Sequence, residues 1–460
     1  MSRSPEPIMP DPREAECFHF LECSYDAQSG VARLSYAFEG GPELVEQITF
    51  PHAPWPPEAS RQASFRRALE ILHLVAGVSY YKAGLNRRIE VSDNHALNGL
   101  HDFLTELYVR GLAEFGYVND VDVAARIRFA GERAPPDARR QSARSLILPD
   151  RALVAMGGGK DSLVALDIMQ ETELPLMPVC VGNSELIRRT VKEAGLPLVA
   201  IGRKLAPELA QMNRAGAMNG HVPVTAINSA ILLCASILYG FRYIVFANER
   251  SADEATLVTG NGKEVNHQYS KSSDFEERFR RVIAEQVSPE IEYFSVLRPF
   301  SELEIVRYFS GMNRFHAVYS SCNRNFHLDG PRVDNRWCGN CPKCRFSALS
   351  LAVFMSPEQV VAIQGVDLLD DPGQVEGFQA LCGLGRDKPF ECVGEAGECR
   401  AALAALGSMD PWKGHAVVRA LMPDLLSVSV PDLNSLLKPA SRHFIPHDIV
   451  SASDFLNRSD

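Results

Sequence analysis

Residues 154–162 read Val-Ala-Met-Gly-Gly-Gly-Lys-Asp-Ser. The apolar run Ala152–Met156 is long enough for a buried strand. Asp161–Gln170 then carries Leu163, Leu166, Ile168 and Met169 at helical spacing. A glycine turn between a strand and a helix lets the backbone approach an anion closely. The helix start then offers free N–H groups and the positive end of its dipole. Such a turn holds phosphate; the alternative is an ordinary glycine-rich strand–helix turn with a solvated lysine.

The segments after residue 146 repeat the same alternation. Further strands are expected at Leu176–Val181, Leu198–Ile201 and Tyr243–Ala247, with helical patterns between them and Gly195 just past one helix. Alternating strands and helices predict an α/β, mostly parallel, doubly wound sheet whose ligands bind beyond the carboxyl ends of the strands. The glycine turn lies at one such end and Asn248-Glu249 at another. Upstream, Phe18–Tyr25 and Val31–Phe38 alternate about a turn at Ser29-Gly30 and predict an antiparallel hairpin or meander. Phe65–Tyr81 and Leu97–Phe115 have helical periodicity, and Glu132–Ser145 reads as a linker. The expected organisation is an N-terminal α+β domain (1–145, for substrate recognition or assembly), a nucleotide-binding domain (146–350) and a helical C-terminal region (351–460).

The chain has 460 residues, 46% of them hydrophobic, which suffices for two or three domains with a large core. Its longest apolar run, Ala226–Tyr239, is broken by Asn228 and Ser229, so no membrane partner is expected. The acidic, proline-bearing N-terminus does not read as a signal peptide, and a cytoplasmic protein is expected. A net charge of −10 argues against a broad nucleic-acid footprint. The composition leaves the oligomeric state open.

Three of the 11 cysteines, Cys338, Cys341 and Cys344, stand at intervals of three, with Cys322 upstream. Four thiols make a closed tetrahedral zinc site; an iron–sulfur cluster and free thiols are the rival readings.

The order Gly-Gly-x-Asp-Ser at 158–162 resembles the PP-loop of the ATP-pyrophosphatase superfamily, with Gly157 where that superfamily usually has Ser. Ser321-Cys322 and Cys338-Gly-x-Cys341-x-x-Cys344-Arg345 are similar to the zinc tail of the 7-cyano-7-deazaguanine synthases. Pro299-Phe300 with Glu304-Ile305 is similar to a segment that follows the superfamily core, with Leu303 where a basic residue usually stands. Over nearly its full length, through His221-Val-Pro-Val-Thr225, Phe246-Ala-Asn248-Glu249-Arg-Ser251-Ala and Lys388-Pro-Phe-Glu-Cys392-Val-Gly, the chain resembles the UDP-N-acetylmuramoyl-L-alanyl-L-glutamate epimerases of peptidoglycan synthesis.

That resemblance implies ATP-driven inversion of a terminal L-glutamate, through an acyl-adenylate, with release of AMP and pyrophosphate. The partner is then a nucleotide-sugar peptide. Backbone N–H groups of Gly157, Gly158 and Gly159, with Lys160, would hold the phosphates; Asp161 would hold magnesium; Ser162 would cap the helix and donate to phosphate. Asp161 and Ser162 are also ordinary helix-start residues. Val181, Asn248 and Glu249 are further candidate nucleotide contacts. For the proton transfer at the glutamate α-carbon the candidates are Cys392, Cys382 and His221. The two cysteines read equally as small core residues, and the histidine as a helix-start group. Gly260–Lys263 reads as a lid or a polar turn. Arg336, Lys343 and Arg345 read as anion contacts or a solvated face. Another adenylating ligase or amidase, deazaguanine-synthase-like, and a non-enzymatic ATP-binding regulator are the competing functions.

Overall fold

The computed structural model describes residues 10–130, 143–255, 257–258, 264–325, 336–385, 388–391 and 393–457. Eleven strands are found among them: β1 Cys17–Asp26, β2 Val31–Phe38, β3 Glu43–Thr49, β4 Arg88–Val91, β5 Ala152–Ala155, β6 Leu176–Val181, β7 Val199–Lys204, β8 Tyr243–Phe246, the short pair β9 Leu257–Val258 and β10 Glu264–Val265, and β11 Glu292–Ser295. The helices that matter for the site are α1 Ala59–Ala76, α2 Ala113–Val118, α3 Lys160–Glu171, α4 Val224–Tyr239, α5 Ser273–Gln286, α6 Glu302–Ser310, α7 Pro342–Ala352 and α8 Ala396–Ser408.

Nine strands form one sheet in the order β11-β8-β5-β6-β7-β3-β2-β1-β4. From β11 to β7 every pairing is parallel. β5 is the point where the winding reverses: β6 lies on one side of it and β8 on the other. A crevice opens at such a switch point beyond the strand carboxyl ends. The glycine turn follows β5 directly.

The expected meander is present as β1, β2 and β3. It does not stand apart. β3 pairs antiparallel with β7, Ile48 opposite Arg203, so one sheet runs across residue 145. The buried Glu46 carboxylate takes the Arg203 guanidinium at 2.7 Å across that seam. Residues 132–142 of the expected linker lie outside the described residues.

α4 is apolar on nearly every face and buries Ala226, Ile227, Ala230–Ala235, Ile237 and Leu238. A helix apolar all round must be covered on all sides. α1 packs on it, and Arg61 donates from α1 to the carbonyls of Ile237 and Leu238 at 2.7 and 3.0 Å. These are orphan acceptors of the α4 C-terminus, which Gly240 ends in the left-handed conformation at φ +75°. The second apolar cluster joins α3, α6, α7 and the C-terminal helices around buried Trp412. The region from 351 onward is helical throughout its regular elements, as its apolar spacing predicts.

Candidate active site

The turn after β5 works because of Gly158. Its φ is +79°, a conformation that costs a side-chain-bearing residue energy, and a Cβ there would stand 3.1 Å from Ile187. α3 starts at Lys160 with Gly159 as its N-cap and no side-chain cap. Its first N–H groups are therefore left to whatever occupies the crevice. Ser162 does not supply the expected cap; its hydroxyl donates to the Gly159 carbonyl at 3.0 Å.

A cavity of about 280 Å³ lies over the turn, lined by Gly157, Gly159, Lys160, Asp161 and Ser162 from the loop. Val181, at the end of β6, and Asn248 and Glu249, after β8, line it too. The structure thus brings together the loop and strand-end residues singled out from the sequence. Gly158 shapes the loop without facing the cavity.

Lys160 is buried and donates to the carboxylates of Asp161 and Glu302. Burial works against its charge, but those two carboxylates outweigh it and hold the ammonium protonated above the ordinary lysine range. Glu249 faces the same space. Burial pushes its carboxyl up, and the charge of Asp161 adds to that. Three carboxylates, Asp161, Glu249 and Glu302, and three lysines, Lys160, Lys271 and Lys343, line the cavity; carboxylate oxygens such as those of Asp161 are the ligands a hard cation takes.

The back wall is pinned by Arg298, which is 2% exposed. Its guanidinium pairs with Glu276 at 2.8 Å and donates to the carbonyls of Glu249 and Lys271 at 2.8 and 2.5 Å. Asn248 donates to Ser295 at 3.0 Å, tying the ends of β8 and β11 together.

The four cysteines of the expected metal site converge. All four sulfurs lie within 4.8 Å of one another. Cys338–Cys344, Cys341–Cys322 and Cys341–Cys344 are 3.7, 3.9 and 3.5 Å apart. Sulfurs bound to a single zinc at about 2.3 Å stand about 3.8 Å from each other, so the donor set could bind a metal such as zinc. The cluster is attached to the cavity: Ser320 and Ser321 precede Cys322, and Lys343 and Phe346 flank Cys344, all four lining the wall.

A second cluster joins His221, which precedes α4, to Glu114 of α2 and to His267. His221 Nδ1 is 3.4 Å from a Glu114 carboxylate oxygen, and His267 Nδ1 bonds to the same oxygen. Burial, with His267 and Lys271 nearby, lowers His221 to about 4 against the pull of Glu114.

A family model described as the MurL N-terminal domain matches residues 9–296, and one described as the MurL C-terminal domain matches residues 318–434. The chain belongs to the MurL family. Three relatives carry the name UDP-N-acetyl-alpha-D-muramoyl-L-alanyl-L-glutamate epimerase. The protein of Xanthomonas oryzae pv. oryzae is 45% identical over 417 residues, 90% of this chain and 91% of its own. That of Salinispora tropica is 39% identical, with 89% of each chain covered. That of a Micromonospora species is 39% identical, with 94% of this chain and 97% of its own covered.

Within this MurL chain some candidates stay outside the cavity. Cys382 is fully buried in the second apolar cluster, and burial pushes its thiol up to about 12. Cys392 and Gly260–Lys263 lie outside the described residues. Of the three basic candidates, only Lys343 lines the cavity. Arg336 is spent on the carbonyls of His316 and Tyr319 at 3.0 and 2.8 Å, and Arg345 on Gln374 and Asn340. Glu302 and Lys271 line the cavity and are residues that sequence reasoning missed. Glu302 had one local signal: it is the first helical residue after the N-cap Ser301, whose hydroxyl accepts from the Glu304 N–H at 3.1 Å. Among the described residues no helix is long and apolar enough to cross a membrane.

Proposed function

We propose that this chain is an ATP-dependent epimerase that inverts the terminal L-glutamate of UDP-N-acetylmuramoyl-L-alanyl-L-glutamate, serving peptidoglycan synthesis in the cytoplasm. The observation that carries this is the near full-length match to a relative of that name at 45% identity. The phosphate-suited cradle at the switch point supports the ATP requirement.

The α-hydrogen of a free carboxylate is hard to remove, because the product would gather more negative charge on a group already negative. ATP removes that charge by converting the carboxylate to an acyl-adenylate, with pyrophosphate as the leaving group. The residues of this chain then divide the work. The loop N–H groups and the Lys160 ammonium hold the phosphates and take up charge on the departing pyrophosphate. Asp161, whose side chain is 35% exposed to the cavity, would hold magnesium. Val181, Asn248 and Glu249 bound the nucleotide. Water finally hydrolyses the activated acyl group.

The sulfur spacing favours one zinc over a four-iron cluster, in which each thiolate binds a different iron and the sulfurs stand further apart. Zinc there would clamp residues 320–322 to the start of α7 and so hold Ser320, Ser321, Lys343 and Phe346 in the cavity wall. Its part is positional.

The test is incubation of pure protein with ATP, magnesium, the UDP-muramoyl dipeptide and deuterated water. Deuterium at the glutamate α-carbon with AMP and pyrophosphate is the expected result. Formation of ADP and orthophosphate, or no deuterium, overturns the proposal.

A further inference from the structure

We propose that Glu114, His221 and His267 form the proton-transfer group of this site, with His221 taking the α-hydrogen of the activated glutamyl residue from one face. This rests on the epimerase function proposed above. The placement of the three residues carries it.

They come from distant stretches: α2, the segment before α4, and the segment after β10. The two imidazole rings stand 4.5 Å apart between centroids, tilted by 47°. Both turn Nδ1 toward one carboxylate oxygen of Glu114. In this arrangement Glu114 holds the Nδ1–H tautomer of His221 and directs Nε2 to act as the acceptor. The side chains of Glu114, His221 and His267 are 15%, 24% and 15% exposed, sheltered but reachable.

His221 and His267 line a second cavity of about 380 Å³. Thr225, Gln268 and Lys271 line both this cavity and the one over the glycine turn. The two spaces are therefore neighbours through a shared wall. A glutamyl group activated at its carboxyl carbon over the loop has its α-carbon one bond further on, and in this assignment that atom is set against the wall that Thr225, Gln268 and Lys271 share with the imidazole cavity. The wall also brings in Lys271, a cation that suits the oxygen on which negative charge gathers.

The step balances as follows. The Cα–H bond breaks and its proton passes to His221 Nε2. The bonding pair moves into the Cα–C bond, and the carbonyl pair moves onto oxygen beside Lys271. Water on the opposite face returns a proton to Cα as the pair comes back and is left as hydroxide, and the imidazolium's proton, passed through solvent, neutralises that hydroxide. Nothing is oxidised or reduced. The closeness of the two rings fits a single-faced group, since two imidazoles serving opposite faces would need the α-carbon between them.

The closing experiment separates the half-reactions. His221→Gln should keep dipeptide-dependent exchange of pyrophosphate into ATP within about threefold of the wild type. It should lower deuterium incorporation at the glutamate α-carbon by at least about 100-fold. Glu114→Gln, a positioning change, should lower the rate constant of that incorporation while leaving the KM for the dipeptide unchanged. Full incorporation by His221→Gln overturns the assignment. So does parallel loss of both half-reactions in a folded His221→Gln, or loss of one equivalent of bound metal in that variant, which would make the cluster a metal site. If His221→Gln does not fold, Glu114→Gln decides alone: unchanged rate constant overturns the assignment. A wild-type protein that exchanges no α-hydrogen at all overturns the epimerase function, and the assignment with it.

Discussion

The Lys160 ammonium and the Glu302 carboxylate meet across the glycine turn as a buried ion pair, although 142 positions separate them in the chain. Their side chains are 7% and 6% exposed. Removing one partner of such a pair strands the other charge in a poorly solvated place, at a cost of about 3–5 kcal/mol. Lys160→Met is expected to lose stability of about that size, because Glu302 and Asp161 then lose the ammonium they share. Glu302→Gln keeps a hydrogen-bond acceptor and leaves Lys160 with Asp161, so its loss should be about 1 kcal/mol. Urea denaturation checks both. In the proposed role Lys160→Met also loses at least about 100-fold in pyrophosphate release under saturating ATP. A variant releasing pyrophosphate at the wild-type rate removes Lys160 from the chemistry.

Arg298 acts on the same cavity from behind. Its pair with Glu276 is fully enclosed, and Glu276 also accepts the Ser295 N–H at 2.9 Å. Arg298→Met should destabilise the protein by about 3 kcal/mol and weaken nucleotide binding as well, since the carbonyls of Glu249 and Lys271 lose their donor. The double change Arg298→Met with Glu276→Met should recover part of the stability without restoring binding. Thermal unfolding with and without ATP separates these effects. Equal losses in the single and double variants would mean that the ion pair itself holds nothing in place.

Glu398 gives the fold a pH dependence of defined sign. It sits in the first turn of α8 and accepts the Glu395 N–H at 2.9 Å. Burial pushes its carboxyl from 4.5 up to about 7, with Glu249 and Glu395 adding to the rise. The native state then binds a proton that the unfolded state gives up, so stability is greatest below the unfolded value and falls as pH rises from about 4.5 to 7. The full loss is about 3 kcal/mol. Glu398→Gln cannot ionise. Its stability should change less across that window than the wild type's, and it should be the more stable protein at pH 8. Denaturant titrations at pH 5, 6, 7 and 8 read this out; identical slopes for both proteins would show that Glu398 ionises normally.

Local features of the site are legible in the sequence, and distant ones are not. The strand, glycine turn and helix around Lys160 are set within twenty positions by apolar spacing and backbone freedom. The observed helix begins at Lys160, one position before the expected stretch. The cysteines were legible because their spacing is itself the signal. Glu302 was not. Glu304 drew attention instead, yet two positions along a helix are about 200° apart around its axis. Glu304 therefore faces away and pairs with Arg307 at 2.7 Å. Lys271 reaches the cavity only through the path of the chain, so no local pattern marks it. The seam between β3 and β7 has the same cause: an edge strand shows which face it buries and says nothing about which edge it will join.

The cysteine cluster offers the sharpest chemical test. Cys322, Cys341 and Cys344 are buried, and Cys338 is half-buried. Four thiolates around one zinc would neutralise their mutual repulsion and add binding energy directly to folding. The wild type is expected to carry about one zinc per chain by elemental analysis. Cys341→Ser should carry less than half of that and unfold at lower temperature. Stripping zinc with a chelator should loosen residues 320–322 and the start of α7 first, because these are the two stretches the metal joins. Hydrogen exchange should then rise there, and ATP binding should weaken as Lys343 and Phe346 leave the wall. Iron with sulfide in the purified protein, or a wild type that is metal-free and equally stable, would show that the four sulfurs do not hold zinc.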